Sequence, residues 1–222
     1  MRPLTLVCLL LLFSCNKKTV QLPEISHSEI TEITDLSPAY IFYDETQPDG
    51  VKLNRKNLII STNWIVNVDK HLILSQVVPK VQILQEKRRN ASIHKNETAK
   101  DYFSCHDTSI KNLGFLEFTN IEYRLADPPS YNKQPNSNSV FISTNSLEKI
   151  EIMPLYGKRQ ISTAKLSDFI NKIDSISKEN DERKEIILAF SKNLTFQDYI
   201  TIKSQLNHLN DSHIISNQEF IY

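Results

Sequence analysis

The chain has 222 residues, with 26 basic and 26 acidic side chains, a formal net charge of zero and 40% hydrophobic residues. That apolar share supports a packed core, and the balanced charge gives no reason to expect nucleic acid as a partner. Only Gly50, Gly114 and Gly157 occur, too far apart to build a phosphate-cradling loop, a dinucleotide fingerprint or a nucleophile elbow, so nucleotide-driven and common hydrolase chemistry are disfavoured.

At the N-terminus, Arg2 supplies a positive charge and Leu4 to Phe13 an apolar run. The run is too short to cross a bilayer, which takes about 20 apolar residues in a helix. Basic start, short apolar core and small residue before a cysteine is the layout of a secretory leader. The end of the run, Leu12-Phe13-Ser14-Cys15, resembles a bacterial lipobox. An ordinary secretory cleavage at a small-x-small site is the alternative, but Leu12-Phe13-Ser14 puts a bulky residue where that site needs a small one. The resemblance implies that 1–14 is a lipoprotein signal peptide and that Cys15 is the lipidated residue, carrying diacylglycerol and palmitate. The expected location is the extracytoplasmic side of a bacterial membrane, the outer rather than the inner. Each buried methylene of such an anchor contributes about 0.8 kcal/mol. Residues 15–37 read as a polar tether. Cys8 leaves with the leader and Cys15 takes lipid, so Cys105 has no intramolecular disulfide partner.

Residues 38–125 read as an N-terminal α/β unit. Its expected strands are Tyr40 to Tyr43, Leu58 to Ile60 and Trp64 to Val68. A helix with the face Val78, Val81 and Leu84 follows Ser75, tolerating Pro79 if it falls in the first turn. Lys87-Arg88-Arg89 suits the negative end of that helix. A short helix from Glu97 to Phe103 and a strand or hairpin between Leu113 and Leu125 complete the unit. Residues 126–139, rich in Pro, Asn and Ser, read as a linker, with a long excursion inside one domain as the alternative.

Residues 140–222 form the C-terminal unit. Lys149 to Ile152 alternates as a half-buried strand, Tyr156-Gly157-Lys158 turns, and Gln160-Ile161 returns. Leu166, Phe169, Ile170, Ile173 and Ile176 mark an amphipathic helix begun by Ser162 or Thr163. A charged connector, Lys178 to Glu185, leads to the continuous apolar run Ile186 to Phe190, which suits a central strand. Thr195 with Asp198 three places on reads as a helix N-cap, with Leu194 and Tyr199 placed as a hydrophobic staple. Its apolar face continues through Ile202, Leu206 and Leu209, and Ile214-Ile215 and Phe220-Ile221-Tyr222 close the unit. The expected fold class is α/β, with α+β as the alternative: two small sheet-plus-helix units, the C-terminal one in β-α-β-α-β order.

The segment from Ile187 to Ile200, with Lys192 after an apolar strand and Phe196 near a helix start, resembles the ExbD/TolR family. Ser191 stands where that family carries an aspartate. The strand, turn and helix from Ile150 to Ile176 follow the order of the family's periplasmic domain. The resemblance implies a domain that dimerises and, in TolR, contacts peptidoglycan. The family's membrane helix with its functional aspartate has no counterpart here, so proton-coupled motor action is not implied. Ile65 to Leu72 echoes Ile187 to Leu194, and internal duplication and chance similarity both account for it. The turn Asp69-Lys70 reads as a solvated turn rather than a catalytic pair.

Cys105-His106-Asp107 is the one local cluster of reactive types. Cys105 and His106 are the candidate catalytic residues, as thiol nucleophile and base. Against this, adjacent residues rarely point at one another. His94, Cys105 and His106 match no common zinc spacing, so no metal is expected, and no cofactor. Tyr40, Phe42, Tyr43, Trp64 and Tyr131 suit either core packing or a binding groove. His208 and His213 read as surface residues flanking a helix end. The expected function is a non-enzymatic, membrane-anchored binding or assembly module of the bacterial envelope, linked to an ExbD/TolR-like biopolymer-transport system. Its expected partners are the membrane through its anchor, an envelope protein or peptidoglycan, and a second copy in a homodimer. The alternatives are a periplasmic enzyme using Cys105 and His106, or a small-ligand carrier between the two halves.

Overall fold

Strand alternation organises the first sheet. Leu36 to Tyr43 turns Ser37, Ala39 and Ile41 inward and Pro38, Tyr40 and Phe42 to the opposite face. The computed structural model describes residues 19–93, 96–126, 139–155, 160–177, 184–207, 209 and 213–222. In chain order the strands of the first half are β1 (Glu24–Ile25), β2 (Leu36–Tyr43), β3 (Val51–Asn54), β4 (Asn63–Val68), β5 (Asp101–Asp107), β6 (Asn112–Glu117) and β7 (Glu122–Leu125). Helix α1 (Leu74–Arg89) joins β4 to β5. The second half has β8 (Ser139–Ser146), β9 (Lys149–Pro154), β10 (Ser162–Ala164), α2 (Phe169–Ser177), β11 (Lys184–Phe190), α3 (Phe196–Leu206) and β12 (His213–Ile221).

Two mixed sheets result. The first runs β1-β5-β4-β2-β3 with β6 also on β5, and the second runs β10-β9-β8-β11-β12-β7. The class is the expected one, two sheet-plus-helix units. Both contain the same pattern. A hairpin (β2-β3 or β8-β9) is followed by a strand, a helix and a parallel strand, giving the orders β3-β2-β4-β5 and β9-β8-β11-β12. The second unit adds β10 and α2 inside this pattern.

The units share one core. A single cluster of buried side chains runs from Ala39, Val66, Phe103 and Leu84 to Ile142, Ile152, Leu188, Phe196 and Ile221. Helix α3 touches both sheets: Tyr199 lies edge-on to Phe103 of β5 and to Phe190 of β11. Burial of this kind contributes roughly 25 cal/mol per Å² of apolar surface.

The seam is built from the two turns whose sequences echo one another. Helix α1 begins at Ile73, which has no side-chain oxygen to cap it. Its first amides instead use the other unit: Leu74 N–H donates to the Leu194 carbonyl (3.0 Å) and Ser75 N–H to the Lys192 carbonyl (2.9 Å). Reciprocally, Phe196 N–H donates to the Leu72 carbonyl (2.7 Å) and Gln197 N–H to the Lys70 carbonyl (3.1 Å). Ile73 bridges Thr195, and one constant shift in residue number relates all these partners. The orphan amides that every helix start carries are thus satisfied across a local two-fold arrangement. Thr195 also caps α3 as expected, its Oγ1 accepting from Asp198 N–H at 3.1 Å.

Several expectations are corrected. The span 15–37 is not a tether from Gln21 onward. Gln21 O accepts from Lys70 N–H, β1 pairs with β5, Ile25 and Ser28 are buried, and Ile30 and Ile33 cover Ile65, Tyr102 and Phe115 on the outer face of the first sheet. Gly114 makes this possible, since a Cβ there would stand 2.5 Å from Ser28 Cβ. Leu58 to Ile60 is a turn rather than a strand, because the Ile59 carbonyl is taken by the Trp64 indole N–H (2.7 Å) and the Thr62 hydroxyl. No helix forms from Glu97 to Phe103; β5 begins at Asp101, where pairing with β4 and β6 buries the apolar run. Ser162 and Thr163 sit in β10, and α2 starts later, behind a 3-10 turn at Leu166–Asp168. Pro79 lies within α1 beyond its first turn. β6 and β7 are not a hairpin: β7 crosses to the second sheet beside β12, so the 38–125 unit gives its last strand to its neighbour. The side-chain amides of Gln82 and Gln85 in α1 hold it there, donating to the carbonyls of Tyr123 (3.0 Å) and Ile121 (2.8 Å). Most of the 126–139 linker and the Tyr156-Gly157-Lys158 turn lie outside the described residues.

Candidate functional site

The cluster Cys105-His106-Asp107 sits on β5, where successive side chains alternate between faces. Cys105 is fully buried in the shared core, whereas His106 is exposed on the other face. The strand therefore separates the thiol from the imidazole, and no nucleophile–base pair forms between them. Burial pushes the Cys105 thiol far above its ordinary range, and the charge of Asp107 adds to the effect. Asp107 is structural, since its carboxylate accepts from the Ser28 amide (2.7 Å) and from the Ser109 hydroxyl (2.6 Å) and amide (2.9 Å). These bonds, the Ser109 hydroxyl foremost, hold it below the usual carboxylate range. The expected outcome for Cys105 is no reaction with a water-soluble thiol reagent in the native protein and stoichiometric reaction in urea. Rapid native labelling would contradict the burial.

His94, Tyr131 and His208 lie outside the described residues, as does Cys15. Among the described residues no three His, Cys, Asp or Glu side chains converge as metal ligands. Of the aromatics, Trp64 is buried, Tyr40 and Phe42 are half-buried, and Tyr43 is 61% exposed. The Arg88 guanidinium stacks on Trp64 at 3.9 Å and donates to the carbonyls of Ile60 and Thr62 and to Asp101 (2.6 Å). Burial raises the Asp101 carboxyl, and Arg88 opposes that rise. This group pins the end of α1 to the strands, beside a hollow of about 340 Å³.

A buried polar group that sequence reading missed lies between the units. Glu219 of β12 is fully buried and accepts from the Tyr199 hydroxyl (2.9 Å) and the Lys203 ammonium (2.6 Å). The Tyr199 proton goes to the carboxylate, so the Tyr123 hydroxyl donates to Tyr199 (3.1 Å). Burial first, then the Glu219 charge, pushes both phenols well above their usual range. The available signal was Tyr199 and Lys203, one helical turn apart, with an acid just before Phe220-Ile221.

The third feature surrounds Thr19. Thr19 lines a hollow of about 310 Å³ with Phe42, Tyr43, Asp44, Glu45 and Asp69, at the carboxyl ends of β2 and β4. Gln21 is held by its amide to Asp69 (3.4 Å) and by its carbonyl to Lys70. Glu24 then meets the Lys70 ammonium at 2.7 Å, which lowers its pKa. A lowered carboxylate stabilises the fold above its unfolded pKa of about 4.3 and loses that contribution as pH falls through the folded value. The expected result is faster hydrogen exchange, beyond the intrinsic rate, at the His106 amide that donates to Pro23 when the pH drops below that range. Glu24→Gln removes the step, and an unchanged step in that variant would rule out the pair as its source.

The hollow of about 710 Å³ is lined by residues of the second half of the chain, and those of about 340 and 310 Å³ by residues of the first, the 340 Å³ hollow reaching Glu122 of β7. No helix among the described residues is long and apolar enough to cross a membrane. No protein-family model, no curated protein and no solved structure matches this chain.

Proposed function

We propose that this chain is a lipid-anchored, non-enzymatic binding or assembly module of a bacterial envelope. The observation that carries this reading is the sequence pattern of Arg2, the short apolar run Leu4 to Phe13 and the lipobox-like Leu12-Phe13-Ser14-Cys15. Burial of Cys105 away from His106 supports the non-enzymatic part. An assembly role beside an ExbD/TolR-like transport system draws support from the order of the C-terminal unit: hairpin, α2, β11, α3, β12. The reciprocal seam supports it as well, since one chain here pairs two like units as a dimer would.

The test is metabolic labelling with a clickable fatty acid in a bacterial host. The expected result is a labelled polypeptide in the membrane fraction, and loss of both label and membrane association in Cys15→Ser. An unlabelled protein that retains its leader, or one found in the cytosol, would overturn the proposal.

A further inference from the structure

We infer that the hollow lined by Phe42, Tyr43, Asp44, Glu45 and Asp69 rests on phospholipid headgroups, with Tyr43 at the membrane–water boundary. This rests on the lipid anchor proposed above. Four residues of fully extended chain reach at most about 14 Å, so an acylated Cys15 holds Thr19 within that distance of the headgroups. Thr19 lines this hollow, and the chain is fastened immediately beyond it by the Gln21 bonds to Asp69 and Lys70. The fold therefore has little freedom to present another end. The opposite end of α1, where Asn90 to Ile93 lie, is roughly 24 Å away along a helix of this length.

The chemistry of the face fits a headgroup layer. Tyr43 is exposed, and its ring packs against Gly50, at φ +70, where a Cβ would meet Tyr43 Cε2 at 3.4 Å. An aromatic ring with a polar tip, held outward in this way, suits the interface between water and lipid. Three carboxylates near it carry lysine partners: Asp44 with Lys52 (3.5 Å), Asp49 with Lys80 (2.6 Å) and Glu24 with Lys70 (2.7 Å). Repulsion from anionic lipid is correspondingly reduced. In sequence, Lys17 and Lys18 fall between Cys15 and Thr19 and add two positive charges to that stretch.

The test uses the full, processed protein reconstituted into phosphatidylethanolamine–phosphatidylglycerol vesicles. A nitroxide is placed at Tyr43→Cys, at Glu45→Cys or, as the far-end control, at Ile93→Cys, which is 70% exposed in the native chain. Cys105, being buried, does not compete for the label. Label collision with lipid-soluble oxygen is compared with collision with a water-soluble nickel complex. The expected result is an oxygen-to-nickel ratio several-fold higher at positions 43 and 45 than at 93. Equal ratios in a sample whose N-terminal peptide carries the acyl mass would overturn this face while leaving the anchor standing. Absence of the acyl mass would overturn the anchor and this inference together.

Discussion

Glu219→Ala is expected to lower the unfolding free energy by about 3–5 kcal/mol, the cost of leaving one member of a buried ion pair without its counter-charge. Glu219 is fully buried and Lys203 is 14% exposed, so the ammonium has little water to turn to. Tyr199 also loses the acceptor of its hydroxyl, a further cause of destabilisation in the same deletion. A double replacement, Glu219→Leu with Lys203→Met, removes both charges at similar volume and should recover part of the loss. Full recovery is not expected, because the Tyr199 hydroxyl stays without its carboxylate. Urea unfolding of the native protein, Glu219→Leu, Lys203→Met and the double variant measures the pair as a double-mutant cycle. A Glu219→Ala cost below about 1 kcal/mol would show that the group does not tie β12 to α3 as described.

Phe103→Ala carries a comparable expected cost, about 3–5 kcal/mol for a buried aromatic truncated to a methyl group. Phe103 stacks on Phe118 at 4.0 Å between centroids and meets Phe196 edge-on at 5.1 Å, so it joins β5 of the first unit to α3 of the second. Its loss should weaken both units together. Trp64, the chain's one tryptophan and buried in the first unit, reports that unit by fluorescence, and far-UV circular dichroism reports both. The two unfolding curves should coincide in the native protein and shift together in the variant. Curves that separate, with the tryptophan transition moving alone, would mean two independent cores.

Short-range chemistry explains which elements were legible. The Thr195 cap, the central strand at Ile186 to Phe190 and the helix face of Val78, Val81 and Leu84 depend on neighbours a few residues away, and all appear at those places. Cys105 was misplaced after a short helix because Tyr102 and Phe103 fit either period. Pairing of β5 with β4 and β6, which a local window does not contain, decided for strand. The same reason hid the buried group at Glu219, whose partners come from β7 and α3. The hollow at Thr19 was hidden likewise, since Tyr43 ends β2 and Asp69 follows β4, two strands that only the folded chain brings side by side.

The sequence by itself determined the short apolar run that ends beside Cys15, the αβ composition of each half and the echo between Ile65–Leu72 and Ile187–Leu194. The tertiary structure alone decided that β7 crosses to the second sheet, that residues after Gln21 are packed, and that the echoed turns cap each other's helices. The physical reason is the range of the forces. Caps and periodicity are set within one or two turns of chain, whereas a helix start without a capping side chain takes whatever carbonyl the folded chain brings to it. Here those carbonyls belong to the other unit.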